Sequence, residues 1–242
     1  MKDHFASLYD TLMTEAPYSD WLAYAKQRLP ANGRVLDLAC GTGTLTIHLT
    51  EEGFHMSGLD VSAEMLAAAE DKARRSGKSI PFMQQDMRSF TGFEDLDGVT
   101  LFCDGLNYIT EKENVRQVFD RVFESLKQGG VFLFDVHTPY KMEQVFAGQL
   151  FGEDRGDITY LWFCEAGEVP FSVEHLLTFF VERPDGTYDR MDEELYQRTL
   201  EPDEYENHLR EAGFADVNIT SDFGRAAVER KSERLFFRAV KK

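Results

Sequence analysis

Val35-Leu36-Asp37-Leu38-Ala39-Cys40-Gly41-Thr42-Gly43 is the stretch that decides the fold. An apolar run broken by one acid reads as a buried strand, and the glycines that follow read as a tight turn. Thr44 to Gly53 then has helical character and closes on a glycine. A strand that feeds a helix through such a turn aims backbone N–H groups at whatever binds there. The turn is not a triphosphate loop, because G-x-x-x-x-G-K-[ST] requires a lysine that is missing here. Nor is it a complete dinucleotide fingerprint. Thr46 stands where the third glycine of G-x-G-x-x-G belongs, and Asp37 would meet a pyrophosphate with like charge.

Outward from this stretch, strand-type and helix-type runs alternate. Phe54–Asp60 reads as a second strand, and Ser62 caps a helix that stops at Gly77. Ile80–Asp86 and Gly98–Gly105 read as a third and a fourth. The helical segment from Glu111 carries Val115, Val118, Phe119, Val122, Phe123 and Leu126 on one face, and Val131–Thr138 is a fifth strand. A helix from Pro202 to Ala212 and two last strands, "FADVNITSDF" and "RLFFRAVKK", complete the series. Such alternation predicts an α/β, doubly wound, Rossmann-like sheet of seven mostly parallel strands.

The pattern breaks after Thr138. Tyr140–Gln149 reads as a helix, and 157–166 and 171–198 read as antiparallel strands with a turn at Pro184-Asp185-Gly186. Two aromatic-rich helices, about Asp3–Thr14 and Ser19–Leu29, precede the sheet as a cover. The expected organisation is a main domain of residues 1–138 and 199–242, with 139–198 as an antiparallel insertion roofing an acceptor site.

Three acids crown the first three strands. Asp60 lies nineteen residues after Gly41, the spacing at which a carboxylate accepts from both hydroxyls of a ribose. Asp86 can accept from an adenine amino group, with Met87 against the ring. Asp37 favours a cationic ligand, and S-adenosylmethionine carries positive charge, an adenosine and no phosphate.

With those residues in view, "VLDLACGTG", "GLDVSAEML", "QQDMRSF" and "LKQGGVFLFDV" resemble the ordered motifs of class I S-adenosylmethionine-dependent methyltransferases. The resemblance covers about residues 33–137 and the closing helix and strands from 202 onward. "YDTLMTEAPYSDWLAYA" is further similar to a bacterial subgroup of small, mostly uncharacterised methyltransferases. It implies that Asp37, Gly41, Thr42 and Gly43 hold the methionine moiety and that Asp60 holds the ribose. Val61 and Met65 would lie beside the adenine, Asp86 and Met87 would finish that pocket, and Tyr9, Tyr18 and Trp21 would fold over the cofactor. "CDGLNYIT" occupies the place where acceptor and methyl group meet. It lacks the N-P-P-[YF] pattern of adenine and glutamine methylation, and no Pro-Cys marks a cytosine enzyme.

Methyl transfer to a strong nucleophile needs alignment more than acid–base help. Asp104, Asn107 and Tyr108 are the residues expected to orient an acceptor, with His137 as the candidate base; the alternative for His137 is a hydrogen-bonded strand end. Tyr9, Trp21 and Tyr24 could equally be core, and Cys40 and Cys103 read as packing residues.

Composition narrows the substrate. The net charge of −17, from 43 acids against 26 bases, disfavours a phosphate backbone, and Lys72-Ala73-Arg74-Arg75 does not offset it. No apolar run approaches the roughly 20 residues of a membrane span, and no signal-peptide architecture is present. Three separated cysteines suggest reduced thiols in the cytoplasm, and six scattered histidines suggest no metal. The expectation is therefore a cytoplasmic monomer or homodimer that uses S-adenosylmethionine to methylate N, O or S of a small molecule, not nucleic acid or membrane. The rivals are a non-catalytic adenosyl-ligand sensor and an NAD-dependent oxidoreductase, which the terminal strand pair disfavours.

Overall fold

The structure is a computed structural model that describes residues 5–242. Residues 1–4, where the first expected helix was to begin, lie outside the described residues.

The strands fall where the apolar runs predict them. They are β1 (Arg34–Leu38), β2 (His55–Asp60), β3 (Phe82–Gln84), β4 (Leu96–Leu101) and β5 (Leu126–His137). After the insertion come β10 (Phe214–Thr220) and β11 (Arg234–Lys241). Their order in one seven-stranded sheet is β10-β11-β5-β4-β1-β2-β3. β11 runs antiparallel to β5, and β10 antiparallel to β11. Because β1 has β2 on one side and β4 on the other, the chain reverses its direction of winding there. The crevice beyond the carboxyl ends of β1 and β4 is the place where open α/β sheets bind ligands.

The last eight residues of β5 are all buried, as a central strand covered on both faces must be. One face packs α5 (Lys112–Ser125) and α6 (Pro202–Ala212), with Phe119, Phe132, Phe134 and Phe237 wholly buried among Leu36, Leu38 and Leu101. Truncating one of these rings to alanine costs about 3–5 kcal/mol. The other face holds α2 (Tyr18–Lys26) and α3 (Thr44–Glu51) through Trp21, Tyr24, Leu45 and Leu49. Ser62 caps α4 (Ala63–Arg75) by accepting from the Met65 N–H at 3.3 Å.

Residues after Thr138 leave this sheet and build a second one of four antiparallel strands. They are β6 (Gln149–Asp154), β7 (Ile158–Ala166), β8 (Ser172–Glu182) and β9 (Tyr188–Arg198). The helix expected over Tyr140–Gln149 is corrected to a six-residue π-helical turn, Lys141–Phe146. Gly148, at φ 76°, ends that turn, and the chain extends at once into the unexpected edge strand β6. The inner face of this sheet carries Tyr160, Trp162 and Phe179, which share one apolar cluster with Leu8 of α1 (Phe5–Leu12). The Ala6 N–H donates to Glu64 Oε1 at 3.0 Å, so α1 touches both the insertion and α4. Among the described residues no helix is long and apolar enough to cross a membrane.

Candidate functional site

The glycine turn is left-handed at Ala39 (φ 49°), Gly41 (φ 54°) and Gly43 (φ 74°). A methyl group on Gly43 would strike the Ala69 Cβ at 2.9 Å, so this glycine lets α3 and α4 close on the sheet. One on Gly41 would meet nothing within 4 Å: the space in front of that residue is open. Asp60 secures the turn, accepting from the Gly41 N–H and the Ser62 N–H, both at 2.9 Å. Each of its oxygens keeps a further lone pair.

Asp37 is buried beneath the turn, where its oxygens accept from Thr46 Oγ1 at 2.6 Å and Thr100 Oγ1 at 2.7 Å. Burial pushes its carboxyl up to about 6 in spite of those bonds. Val61, two-thirds exposed, and half-buried Met65 follow Asp60. Asp86 pairs with Arg88, whose hydrogen bonds hold the carboxyl below its usual range, and Met87 packs on the core. The Thr42 side chain turns toward the helices instead of the crevice. Its hydroxyl donates to Asp10 at 2.5 Å and accepts from Lys72 at 3.0 Å, while Lys72 pairs with Asp10 at 2.8 Å. Only the Thr42 backbone is left to face the crevice.

Beyond β4 the backbone is strained. Cys103 and Asp104 are consecutive non-glycine residues at φ 54° and 53°, which costs about 1–3 kcal/mol each. Asp135 of β5 holds them there, accepting from the Cys103 N–H at 2.9 Å and the Asp104 N–H at 3.2 Å. It also takes the Trp21 indole N–H at 2.9 Å and an Arg234 N–H. Asp104 in turn accepts from Arg234 Nη2 at 2.8 Å and Gln197 Nε2 at 2.8 Å, with His137 Nε2 at 3.5 Å. Burial opposes its charge, but His137, Arg234 and the Gln197 amide outweigh that and hold it well below the usual carboxylate range. Burial pushes His137 down to about 4, so its ring is neutral at pH 7. Its Nδ1 is buried with no hydrogen-bond partner.

Two expectations are corrected. Asn107 does not face an acceptor: it is wholly buried, its Oδ1 accepting from the His137 N–H at 3.0 Å and its Nδ2 donating to the Arg198 carbonyl at 2.8 Å. It staples β5 to the insertion. Trp21 does not fold over the crevice, because it is 3% exposed, bonded to Asp135 and stacked 5.4 Å from the Arg234 guanidinium. The other aromatics do converge. The Tyr9 phenol lies near Cys103, Tyr18, Asp104 and Tyr108, the Tyr18 phenol lies beside Thr44, and Tyr108 is half exposed beside Gln197. Arg234, Asp135 and Gln197 belong to this constellation and were not singled out from the sequence. An acid inside the apolar run of β5 was the available signal for Asp135.

A methyltransferase domain model matches residues 35–130, from β1 to the start of β5's buried half. A Geobacillus sp. (strain WCH70) protein carrying a methyltransferase name is 46% identical over 99% of both chains. The chain belongs to the class I S-adenosylmethionine-dependent methyltransferases. The solved S-adenosylmethionine-dependent methyltransferase of Clostridium acetobutylicum ATCC 824 superposes on this methyltransferase with a TM-score of 0.88. It is 29% identical and covers 98% of this chain and 97% of its own. The glycine/sarcosine N-methyltransferase of Aphanothece halophytica is 27% identical over 78% of this chain and 69% of its own. S-adenosylmethionine is the cofactor of the methyltransferase, and the residues at the crevice fit it. Gly41 leaves room, Asp60 has free acceptor capacity, and Val61 offers an exposed apolar surface.

Proposed function

We propose that the enzyme methylates the nitrogen of a small amine. S-adenosylmethionine, when bound, supplies a methyl carbon already activated by its sulfonium. Asp60 would hold the ribose, Asp86 and Met87 the adenine between Val61 and Met65, and the amides of Gly41 to Gly43 the methionine carboxylate. Asp37 sits beneath as a negative charge against the cofactor's positive end. Tyr9 and Tyr18 cover the cofactor, and residues 139–198 roof the acceptor.

The observation that carries this reading is the Asp104 carboxylate gripped by Arg234, Gln197 and His137, surroundings that favour its charge and disfavour that of the imidazole. A carboxylate accepts about four hydrogen bonds. Arg234 and His137 occupy Oδ1 and Gln197 one position of Oδ2, which leaves an Oδ2 lone pair for an acceptor. An amine nitrogen becomes positive as it takes the methyl group, and a fixed carboxylate stabilises that charge as it develops. His137 turns Nε2 toward the carboxylate, which can only accept, so the ring donates there and helps to fix the carboxylate that the amine meets. An alcohol would need a stronger base than an imidazole depressed to about 4, and a thiolate would be repelled by Asp104. The glycine/sarcosine enzyme named above is an N-methyltransferase, which supports the same class.

Mass spectrometry after incubation with S-adenosylmethionine and matched small amines, alcohols and thiols tests this. Methylated amines with S-adenosylhomocysteine are expected. Methylation confined to alcohols or thiols overturns the reading, and S-adenosylhomocysteine binding without any turnover favours a sensor.

A further inference from the structure

On the inner face of the insertion, Trp162, His175 and Gln197 form one line of polar side chains across β7, β8 and β9, next to an apolar cluster around Leu177 and Phe179. Polar groups buried on such a face are destabilising unless they are bonded. These three bond one another, and the order of the bonds is fixed by chemistry. The Trp162 indole N–H can only donate, and it meets His175 Nδ1 at 3.0 Å. Cys164 Sγ is the other neighbour of that nitrogen, at 3.4 Å. Nδ1 is therefore an acceptor, and the neutral ring carries its proton on Nε2. Burial pushes His175 down, which keeps the ring neutral at pH 7.

Nε2 lies 3.2 Å from Gln197 Oε1, so that oxygen must accept. The Gln197 amide is thereby oriented with Nε2 toward Asp104, and it donates to Oδ2 at 2.8 Å. A flipped amide would set its carbonyl against a carboxylate and lose a hydrogen bond to a charged group. Arg234 grips the other oxygen of Asp104 at 2.8 Å from the sheet side. The carboxylate is clamped from two sheets at once.

We infer that Trp162, His175 and Gln197 are positioning residues: an oriented hydrogen-bond chain through which the insertion fixes the plane of the Asp104 carboxylate and leaves its last Oδ2 lone pair toward the acceptor. The word acceptor here rests on the N-methylation reading; the chain itself does not. Mere adhesion between the two sheets would need no particular imidazole tautomer and no particular amide orientation.

The test uses the full chain with Trp162→Phe, Gln197→Leu and the double variant. Long-range 15N–1H NMR reads the His175 tautomer, calorimetry reads S-adenosylhomocysteine affinity, and kcat and KM are measured on an amine that the wild type methylates. The wild-type ring is expected to be protonated at Nε2, a preference weakened in Trp162→Phe, where only the Gln197 amide still selects it. Gln197→Leu is expected to lower kcat about 10–100-fold with S-adenosylhomocysteine affinity unchanged within about twofold. Trp162→Phe is expected to have a smaller effect, absent on the Gln197→Leu background, because both act through one amide. A wild-type ring protonated at Nδ1, or a Gln197→Leu enzyme with wild-type kcat, overturns the chain. If no amine is methylated, the N-methylation reading fails separately. The chain is then judged by the tautomer and by the Gln197 side-chain amide resonance, which must move in Asp104→Asn.

Discussion

The carboxyl edge of the parallel sheet and the inner face of the insertion both bury polar groups, but in opposite ways. At the sheet edge the groups are ions: Asp37 and Asp135 are buried, and Asp104 and Arg234 are about four-fifths covered. On the insertion they are neutral, an indole, an imidazole and an amide joined end to end. Buried charges store strong local fields but depend on their partners. Neutral groups carry weaker fields and, when every donor and acceptor is matched, fix direction. On the proposed reading, the ionic edge supplies charge where the reaction develops it and the neutral chain aims it.

Arg234→Met probes the ionic half hardest. It leaves Asp135 and Asp104 buried without their cation, so a loss of about 3–5 kcal/mol is expected, seen by scanning calorimetry as a fall in Tm of about 6–20 °C. Asp135→Asn on the same background should recover part of it. A Tm within a degree or two of wild type would mean that the sheet edge tolerates unpaired charge as readily as the insertion tolerates neutral groups.

Asp104→Asn separates charge from shape. Turnover is expected to fall about 100-fold or more, near 3 kcal/mol of lost transition-state stabilisation, while calorimetry finds S-adenosylhomocysteine affinity retained. Equal loss of both would merge the cofactor and acceptor halves into one site.

Asp37→Asn should have a smaller effect and the opposite sign. Its folded pKa, about 6, lies above the roughly 4 of an unfolded aspartate. The ionised form therefore disfavours folding above pH 6, and that penalty fades as the pH falls from 6 toward 4. Urea unfolding should find the variant more stable than wild type by about 1 kcal/mol at pH 7.5, with the gap closing near pH 4. A variant less stable at pH 7.5 would show that Thr46 and Thr100 need the carboxylate. At the bottom of the scale, Arg190→Ala removes the exposed Arg190–Asp192 pair on the insertion's outer face. Neither Tm nor turnover should change measurably, and a loss of turnover would mean that the outer face also aims the chemistry.

Sequence and structure agree best where one physical rule governs a residue. The positions of the parallel strands and the placement of Asp37, Asp60 and Asp86 near their carboxyl ends follow from apolar runs that stop at turn residues. Asn107 and Trp21 misled because a polar or aromatic residue beside a motif looks the same whether it faces the crevice or the core. The left-handed turn at Cys103 and Asp104 decides between the two, and those residue types give no warning of it. The strand β6 escapes a sequence reading because Gly152 and the acids beside it break the apolar alternation that marks a strand. Trp162, His175 and Gln197 carry no motif at all. They meet only because the β7–β8–β9 register sets Cys164 opposite His175 and Val173 opposite Gln197.

Titration calorimetry of S-adenosylhomocysteine into wild type and Asp60→Ala bears most directly on the adenosyl site at the sheet edge. Saturable binding to the wild type is expected, weakened about 100-fold in the variant by the loss of two hydrogen bonds to a charged group, and NAD should give no heat. Unchanged affinity in Asp60→Ala, or saturable binding of NAD, would contradict it.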